Sequence, residues 1–273
     1  MARLNSFHLP PDRWPDPAAP GARCALDGPE AKHMLKVLRT REGDVVRLFD
    51  GGGREGLFVL ERADGKRAEL RADSVLVHDR PASSVTLAVG WNKSSRRGWL
   101  LEKAVELGAG GVAFWQARRS QGGPSAEPKE SWQEKCVQAA KQCGSPFLPE
   151  LDVVADGAAG VLAFAKDFDR CYLPYECERE ALLHPAMLAP SSSEGEAARG
   201  GRVLIVIGPE GGFDPEEAET LIAGGCAPVS LGRSVLRWET AALHCLSLAL
   251  YAREAAGVAA DGRRDKVGRG DDA

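Results

Sequence analysis

At 273 residues, with 44% hydrophobic and 27% charged side chains, the chain has ordinary globular composition and room for two modest domains or one large one. A formal net charge of −4 offers no overall attraction to nucleic acid, so any RNA contact has to come from local basic clusters. No run approaches the ~18 apolar residues of a membrane helix and the first residues hold no apolar signal core, which excludes a membrane partner and points to the cytoplasm; the seven cysteines are scattered without a C-x-x-C pair, so reduced packing cysteines and no metal site are expected.

Residues 1–80 read as a small β-rich domain. After a proline-rich opening, Pro29 can begin a helix whose Ala31, Met34, Leu35 and Leu38 recur at helical spacing and leave Lys32, Lys36 and Arg39 outside. Val45 to Phe49 and Leu57 to Leu60 are short apolar runs split by Asp50-Gly-Gly-Gly53, a hairpin signal, and Ala68 to Ala72 is a further strand. The glycine triplet lacks the Lys-Ser/Thr ending of a phosphate loop and is read as a turn. A linker is placed at 79–84, where the pattern changes.

From residue 84 to 256 strands and helices alternate. Strands are expected at Val85 to Val89, Val112 to Trp115, Arg170 to Leu173, Val203 to Ile207 and Pro228 to Leu231. Helices carry Leu100 to Leu107, ended by Gly108, then Trp132, Cys136, Ala139, Ala140 and Cys143, and last Thr240 to Ala255. That alternation implies an α/β fold with a mostly parallel sheet covered on both faces. Segments 121–128 and 190–201 read as insertions, and 257–273 as a charged, glycine-rich tail without structure.

Val203 to Ile207 is apolar throughout, as a strand buried on both faces should be, and ligands of such sheets bind beyond the carboxyl ends of the strands. Gly208-Pro-Glu-Gly-Gly212 stands there. Its glycines allow backbone groups to approach a ligand, although they also suit a simple helix-start turn before Asp214 as N-cap, Pro215 at the first helical position and Glu217 as return half of a capping box. A dinucleotide fingerprint would follow the first strand of its domain, whereas this loop comes near the end.

His33-Met-Leu-Lys-Val-Leu-Arg39, Gly43-Asp44, Leu48-Phe-Asp-Gly51, Glu102-Lys-Ala-Val-Glu-Leu-Gly108, Gln142-Cys-Gly144, Pro149-Glu150, Ile207-Gly-Pro-Glu-Gly-Gly-Phe213 and Leu231-Gly232 through Leu236-Arg237 and Glu239-Thr-Ala241 together resemble the 16S ribosomal RNA uridine-N3 methyltransferases of the SPOUT class. The matches run in order from residue 33 to about residue 250. The resemblance implies a PUA-like RNA-binding β-barrel followed by a SPOUT domain with a deep trefoil knot, a homodimer, and S-adenosylmethionine (AdoMet) held in the knot. It also implies methylation of N3 of a decoding-region uridine in the 16S rRNA of the small ribosomal subunit; methylation of another RNA and a non-catalytic ribosome-assembly role are the competing readings.

Three loops would line the cofactor pocket: Pro174, Tyr175 and Glu176; Ile207, Gly208, Pro209, Glu210, Gly211 and Gly212; and Ser230, Leu231, Gly232, Leu236, Thr240 and Ala241. Leu231, Gly232 and Leu236 would hold the adenine through apolar contact and backbone amides, while Tyr175 serves either as a polar contact or as an aromatic anchor. Arg237 is expected to orient or stabilise the uracil, or else to form a structural salt bridge to Glu239 or across the dimer, and Glu239 or Glu210 to accept the imide proton directly or through water. Thr240 is expected to cap the last helix. Lys36, Arg39 and Arg41, with Lys93, Arg96, Arg97 and Arg118, would neutralise RNA phosphates. The chain departs from the family pattern at Lys141 and Ser145, which flank Gln142-Cys-Gly144, and at Ser234 and Trp238 in the last loop.

Overall fold

The computed structural model describes residues 4–81, 83–93, 96–189 and 201–267, with side chains described as far as residue 256. Apart from Gly201, the insertion expected at 190–201 lies outside the described residues. The chain forms two compact units, Met1–Arg80 with Glu134–Leu148, and Pro81–Gln133 with Pro149–Ala273.

The first unit is built on a five-stranded sheet. Its strands are β1 (Ser6–His8), β2 (Arg23–Leu26), β3 (Val45–Phe49), β4 (Arg54–Ala63) and β5 (Ala68–Val77), in the spatial order β1-β3-β4-β5-β2. The pair β1 and β3 is parallel and the remaining pairs are antiparallel. Strands β4 and β5 reach ten residues each, longer than their apolar runs, because the alternation that turns Phe58, Leu60, Leu70 and Ala72 inward continues past those runs with polar outward positions such as Glu55, Glu61, Glu69 and Asp73. The edge strands β1 and β2 fall in the proline-rich opening, where three or four residues carry too little periodicity to announce a strand.

Between β3 and β4 the Asp50 carboxylate accepts the amides of Gly52 at 2.7 Å and Arg54 at 3.0 Å, and Gly51 and Gly53 adopt φ of 80° and 106°. The triplet is therefore an Asx-stabilised turn. Helix α1 (Gly28–Lys32) continues as a π-helical turn over His33–Val37, closed by the Leu38 amide on the His33 carbonyl at 3.0 Å. Widening the turn rotates the stripe: Ala31 and Met34 stay buried, but Leu38, expected on the same face, is exposed. Lys141, in the Glu134–Leu148 segment of this unit, bonds both oxygens of Glu30 at 2.9 and 3.0 Å.

The second unit holds a six-stranded, wholly parallel sheet. Its strands are β6 (Ser84–Gly90), β7 (Gly111–Trp115), β8 (Glu150–Val154), β9 (Arg170–Pro174), β10 (Arg202–Ile207) and β11 (Ala227–Val229), ordered β11-β9-β10-β6-β7-β8. Its helices are α2 (Arg96–Glu106), α4 (Gly157–Ala165), α5 (Pro215–Ala223) and α6 (Trp238–Val267), whereas α3 (Glu130–Cys143) belongs to the first unit from Glu134 onward. Val203 to Ile207 is at most 2% exposed, as a continuous apolar run in a central strand requires. Strand β8 and helix α4 escape a sequence reading because Glu150-Leu-Asp-Val-Val is a half-polar edge strand and Gly157-Ala-Ala-Gly has weak helix propensity.

Helix α6 corrects two expectations. It begins at Trp238 and runs on to Val267, taking in much of the tail expected to lack structure; the alanine pairs Ala255-Ala256 and Ala259-Ala260 are strong helix formers on either side of Gly257, and they let the helix continue through it. Thr240 consequently lies inside the first turn and is not the cap; the Arg237 carbonyl accepts the Ala241 amide at 2.9 Å. Among the described residues no helix is long and apolar enough to cross a membrane.

Candidate active site

Parallel pairing of β9 with β11, Pro174 opposite Val229, delivers the segments that follow them to the same end of the sheet. The Tyr175 amide donates to Val229 O at 3.0 Å, and a short bridge from Ala181 to Leu183 clasps Ser230 from the other side, through Ser230 N to Ala181 O at 2.8 Å and Leu183 N to Ser230 O at 2.9 Å. Together they frame an open cleft lined by Pro174, Tyr175, Glu176, Glu178, Arg179, Ser230, Leu231, Gly232, Ser234, Val235, Leu236 and Ala241. Gly232 turns at φ 111°, which exposes the backbone beside Leu231 and Leu236. Leu231, Val235 and Leu236 give the cleft an apolar surface that can pack against a flat heterocycle, while the Ser230 hydroxyl engages the Gly232 amide at 3.3 Å and its carbonyl at 3.4 Å.

Tyr175 holds its loop as an aromatic anchor. It lines the cleft, and its ring meets Phe213 edge-on at 6.2 Å. A hydrogen bond with the Cys177 thiol, together with burial, pushes its phenol above the ordinary range.

The Gly208–Gly212 loop takes a different course from the other two. A side chain at Gly90, the last residue of β6, would stand 2.5 Å from the Pro209 nitrogen, so this glycine lets the loop lie directly on the strand end. Ile207 and Gly208 are buried, and Pro209, Glu210 and Gly211 line a neighbouring pocket with Trp91, Asn92, Arg119 and Gln121. The loop meets the cleft only at Gly212, whose φ is 71° and whose missing Cβ would fall 2.9 Å from Glu176 Oε1. Of the three loops expected around one pocket, two form it and the third borders it.

Arg237 is exposed and, among the described residues, makes no side-chain hydrogen bond or ion pair. Glu239 is buried and binds the guanidinium of Arg96 through Oε1, while its Oε2 has no hydrogen-bond partner among the described residues. The salt bridge expected between Arg237 and Glu239 is therefore replaced by one between Arg96 and Glu239. Glu210 Oε2 accepts from Asn92 Nδ2 at 3.2 Å. Arg97 donates to the Asn92 carbonyl and lies over the Trp91 ring at 4.1 Å; burial lowers its pKa. Thr240 is exposed, and it does not line the cleft that Ala241 reaches. Trp238, where the family pattern has threonine, is buried.

The basic residues are not equally available. Lys36, Arg39 and Arg41 are exposed on the first unit and Lys93 on the second. Arg118 donates to Asp214 at 2.9 Å and Glu216 at 2.6 Å, so its charge is already matched at the start of α5. That contact also draws Asp214 away from the capping role expected of it, since the carboxylate makes no cap bond. Trp91 and Asn92 escape a reading of the sequence; Asn92 follows the end of β6, the position at which open parallel sheets display polar groups.

A parallel sheet with a loop-built cleft at its carboxyl end, preceded by a PUA-like mixed sheet, defines an RNA methyltransferase of the SPOUT class. The model of an RNA methyltransferase domain matches residues 79–250, and that of an RNA methyltransferase PUA domain matches residues 26–73. Ribosomal RNA small subunit methyltransferase E from Mycobacterium bovis is 31% identical over 228 residues, covering 81% of this chain and 84% of the relative; the Bacillus subtilis protein of that name is 28% identical over 235 residues, covering 84% and 90%. Among solved structures, a probable rRNA-methyltransferase from Porphyromonas gingivalis superposes with a TM-score of 0.76 at 30% identity, covering 92% of this chain and 99% of the other. A methyltransferase from Legionella pneumophila, solved with bound AdoMet, superposes with 0.74 at 27% identity, covering 92% and 98%. The chain belongs to the ribosomal RNA small subunit methyltransferase E family.

Proposed function

We propose that this protein transfers a methyl group from AdoMet to N3 of a decoding-region uridine in 16S rRNA, on the small ribosomal subunit and in the cytoplasm where that subunit is assembled. The observation that carries the proposal is the cleft between the β9 and β11 loops, whose apolar side chains Leu231, Val235 and Leu236 suit an adenosine moiety. AdoMet supplies an electrophilic methyl on a sulfonium. Leu231, Leu236 and the Gly232 backbone hold the adenine, and Glu176, beside Gly212, offers a carboxylate to the polar end of the cofactor.

Uracil N3 is a weak nucleophile while it carries its proton, so a cation near the ring lowers the barrier by stabilising the imide anion left when that proton passes to solvent water. Arg237 takes that role because it is exposed at the cleft loop and unmatched by a carboxylate among the described residues. Glu239 is too enclosed to touch RNA directly and acts as a positioning residue that fixes Arg96. Lys36, Arg39, Arg41 and Lys93 neutralise phosphates, with Arg96 and Arg97 ordering the loop after β6. A homodimer, with PUA-like RNA-binding and SPOUT domains divided at residues 80–84, completes the proposal.

Mass spectrometry of 16S rRNA from a deletion strain tests it. Loss of one N3-methyluridine, restored by the wild-type gene, is expected; retention of every methyluridine in the deletion strain overturns the assignment.

A further inference from the structure

Strands β9 and β11 bring together two cysteines that play no part in the proposed reaction. Cys171 is the second residue of β9 and Cys226 immediately precedes β11; since Tyr172 pairs with Ala227, the two cysteines stand side by side across the parallel ladder. Neighbouring strands are ~4.8 Å apart, which falls within the ~4.4–6.8 Å Cα separation that a disulfide spans. The side chains already converge, with Cys171 Sγ donating to Cys226 Sγ at 2.7 Å. Both are free thiols. Cys226 is 1% exposed and Cys171 half-buried.

We propose that Cys171 and Cys226 are a reversible oxidation site, closing to an intramolecular disulfide when the protein meets a hydroperoxide. The Cys226 sulfur, as thiolate, attacks the terminal oxygen of hydrogen peroxide; the O–O bond breaks and a sulfenic acid forms, with hydroxide taking up the thiol proton as water. The Cys171 sulfur then attacks the sulfenic sulfur, an S–S bond replaces the S–O bond, and the departing hydroxide leaves as a second water with the Cys171 proton. Two thiols lose two electrons in all, and one peroxide gains them. The hydrogen bond from Cys171 lowers the pKa of Cys226 and raises that of Cys171, which agrees with Cys226 as attacking group and Cys171 as resolving group. The small size of peroxide matters because the sulfurs lie inside the sheet.

The bridge would tie the edge strand β11 to β9 below the cleft, since Pro174–Glu176 and Ser230–Gly232 continue from the same two strands. Its formation does not depend on the RNA substrate or on catalysis, so the site stands or falls separately from the methyltransferase proposal.

The test is peptide mapping of the full chain under non-reducing conditions after brief treatment with hydrogen peroxide, with free thiols blocked by iodoacetamide. The expected result is one dominant cross-linked peptide joining Cys171 and Cys226, lost on treatment with dithiothreitol. In Cys171→Ser the same treatment should leave a sulfenic acid on Cys226 that dimedone traps. Recovery of both cysteines as carbamidomethyl adducts in the wild type, or a cross-link confined to the exposed Cys143 and Cys177, overturns the proposal. Because the wild-type map needs no substitution, it decides the matter even where a variant fails to fold.

Discussion

Arg237 and Glu217 are two charged residues whose surroundings assign them opposite behaviour. Arg237 is exposed beside the cleft without a carboxylate partner among the described residues. Replacing it by alanine should lower kcat by roughly 10²- to 10³-fold, the usual cost of one charge-stabilising donor, while calorimetry finds AdoMet affinity within about twofold of wild type. Equal losses in both would return Arg237 to a structural role. Glu217 is only 3% exposed; Oε1 accepts the Arg118 amide at 2.9 Å and Oε2 has no hydrogen-bond partner. Burial pushes its pKa up, so folding favours the protonated acid. This group's contribution to stability is therefore greatest below the unfolded pKa and is lost as pH rises through the higher folded value. Glu217→Gln should flatten that part of the pH profile and gain about 1 kcal/mol at neutral pH, as read by urea denaturation at a series of pH values. A slope unchanged by the substitution would count against it. In the sequence Glu217 suits a capping role because Asp214 stands three residues earlier, and nothing local reveals that Arg118, distant in the chain, claims both side chains.

At the scale of elements, the legible parts are those in which local pattern and burial agree. The apolar run of β10, the Asp50 turn and the start of α5 at Pro215 are readable in that way. Strands β1, β2 and β8 are not, because each is a short edge whose pairing is decided by a partner far away in sequence. The course of the Gly208–Gly212 loop is hidden for a related reason: it depends on Gly90, more than a hundred residues earlier. Gly90→Ala is accordingly expected to cost at least ~1–3 kcal/mol, since its Cβ would stand 2.5 Å from a backbone nitrogen of that loop. Thermal unfolding checks the cost, and calorimetric AdoMet binding should weaken in parallel. Unchanged stability would show that the loop can lift from β6 freely.

For the whole molecule, a net charge of −4 argues against nucleic acid only when charge is averaged. Several cations are already committed, Arg118 to Asp214 and Glu216 and Lys141 to Glu30, while Lys36, Arg39, Arg41 and Lys93 stand exposed and are the ones the proposal sets against RNA. The charge reversals Lys36→Glu and Arg41→Glu should each weaken small-subunit binding at low salt. Each should also reduce the slope of log affinity against log salt by about one. Filter binding over a salt series measures both quantities, and slopes matching the wild type would remove these residues from the interface. The corresponding test at Arg118→Ala should leave the slope nearly unchanged.

The placement of β10 also bears on how the molecule is made. It lies between β6 and β9, yet it is the fifth of the six strands to be synthesised, so β6 and β9 have no neighbour on their inner sides until residues 202–207 emerge. Pairing over such sequence separations is slow, and unpaired strand edges are prone to capture by other chains. The nascent second unit must therefore wait with two open edges through most of its own translation. A ribosome stalled before residue 202 would present a chain in which the first unit can fold and the sheet of the second cannot.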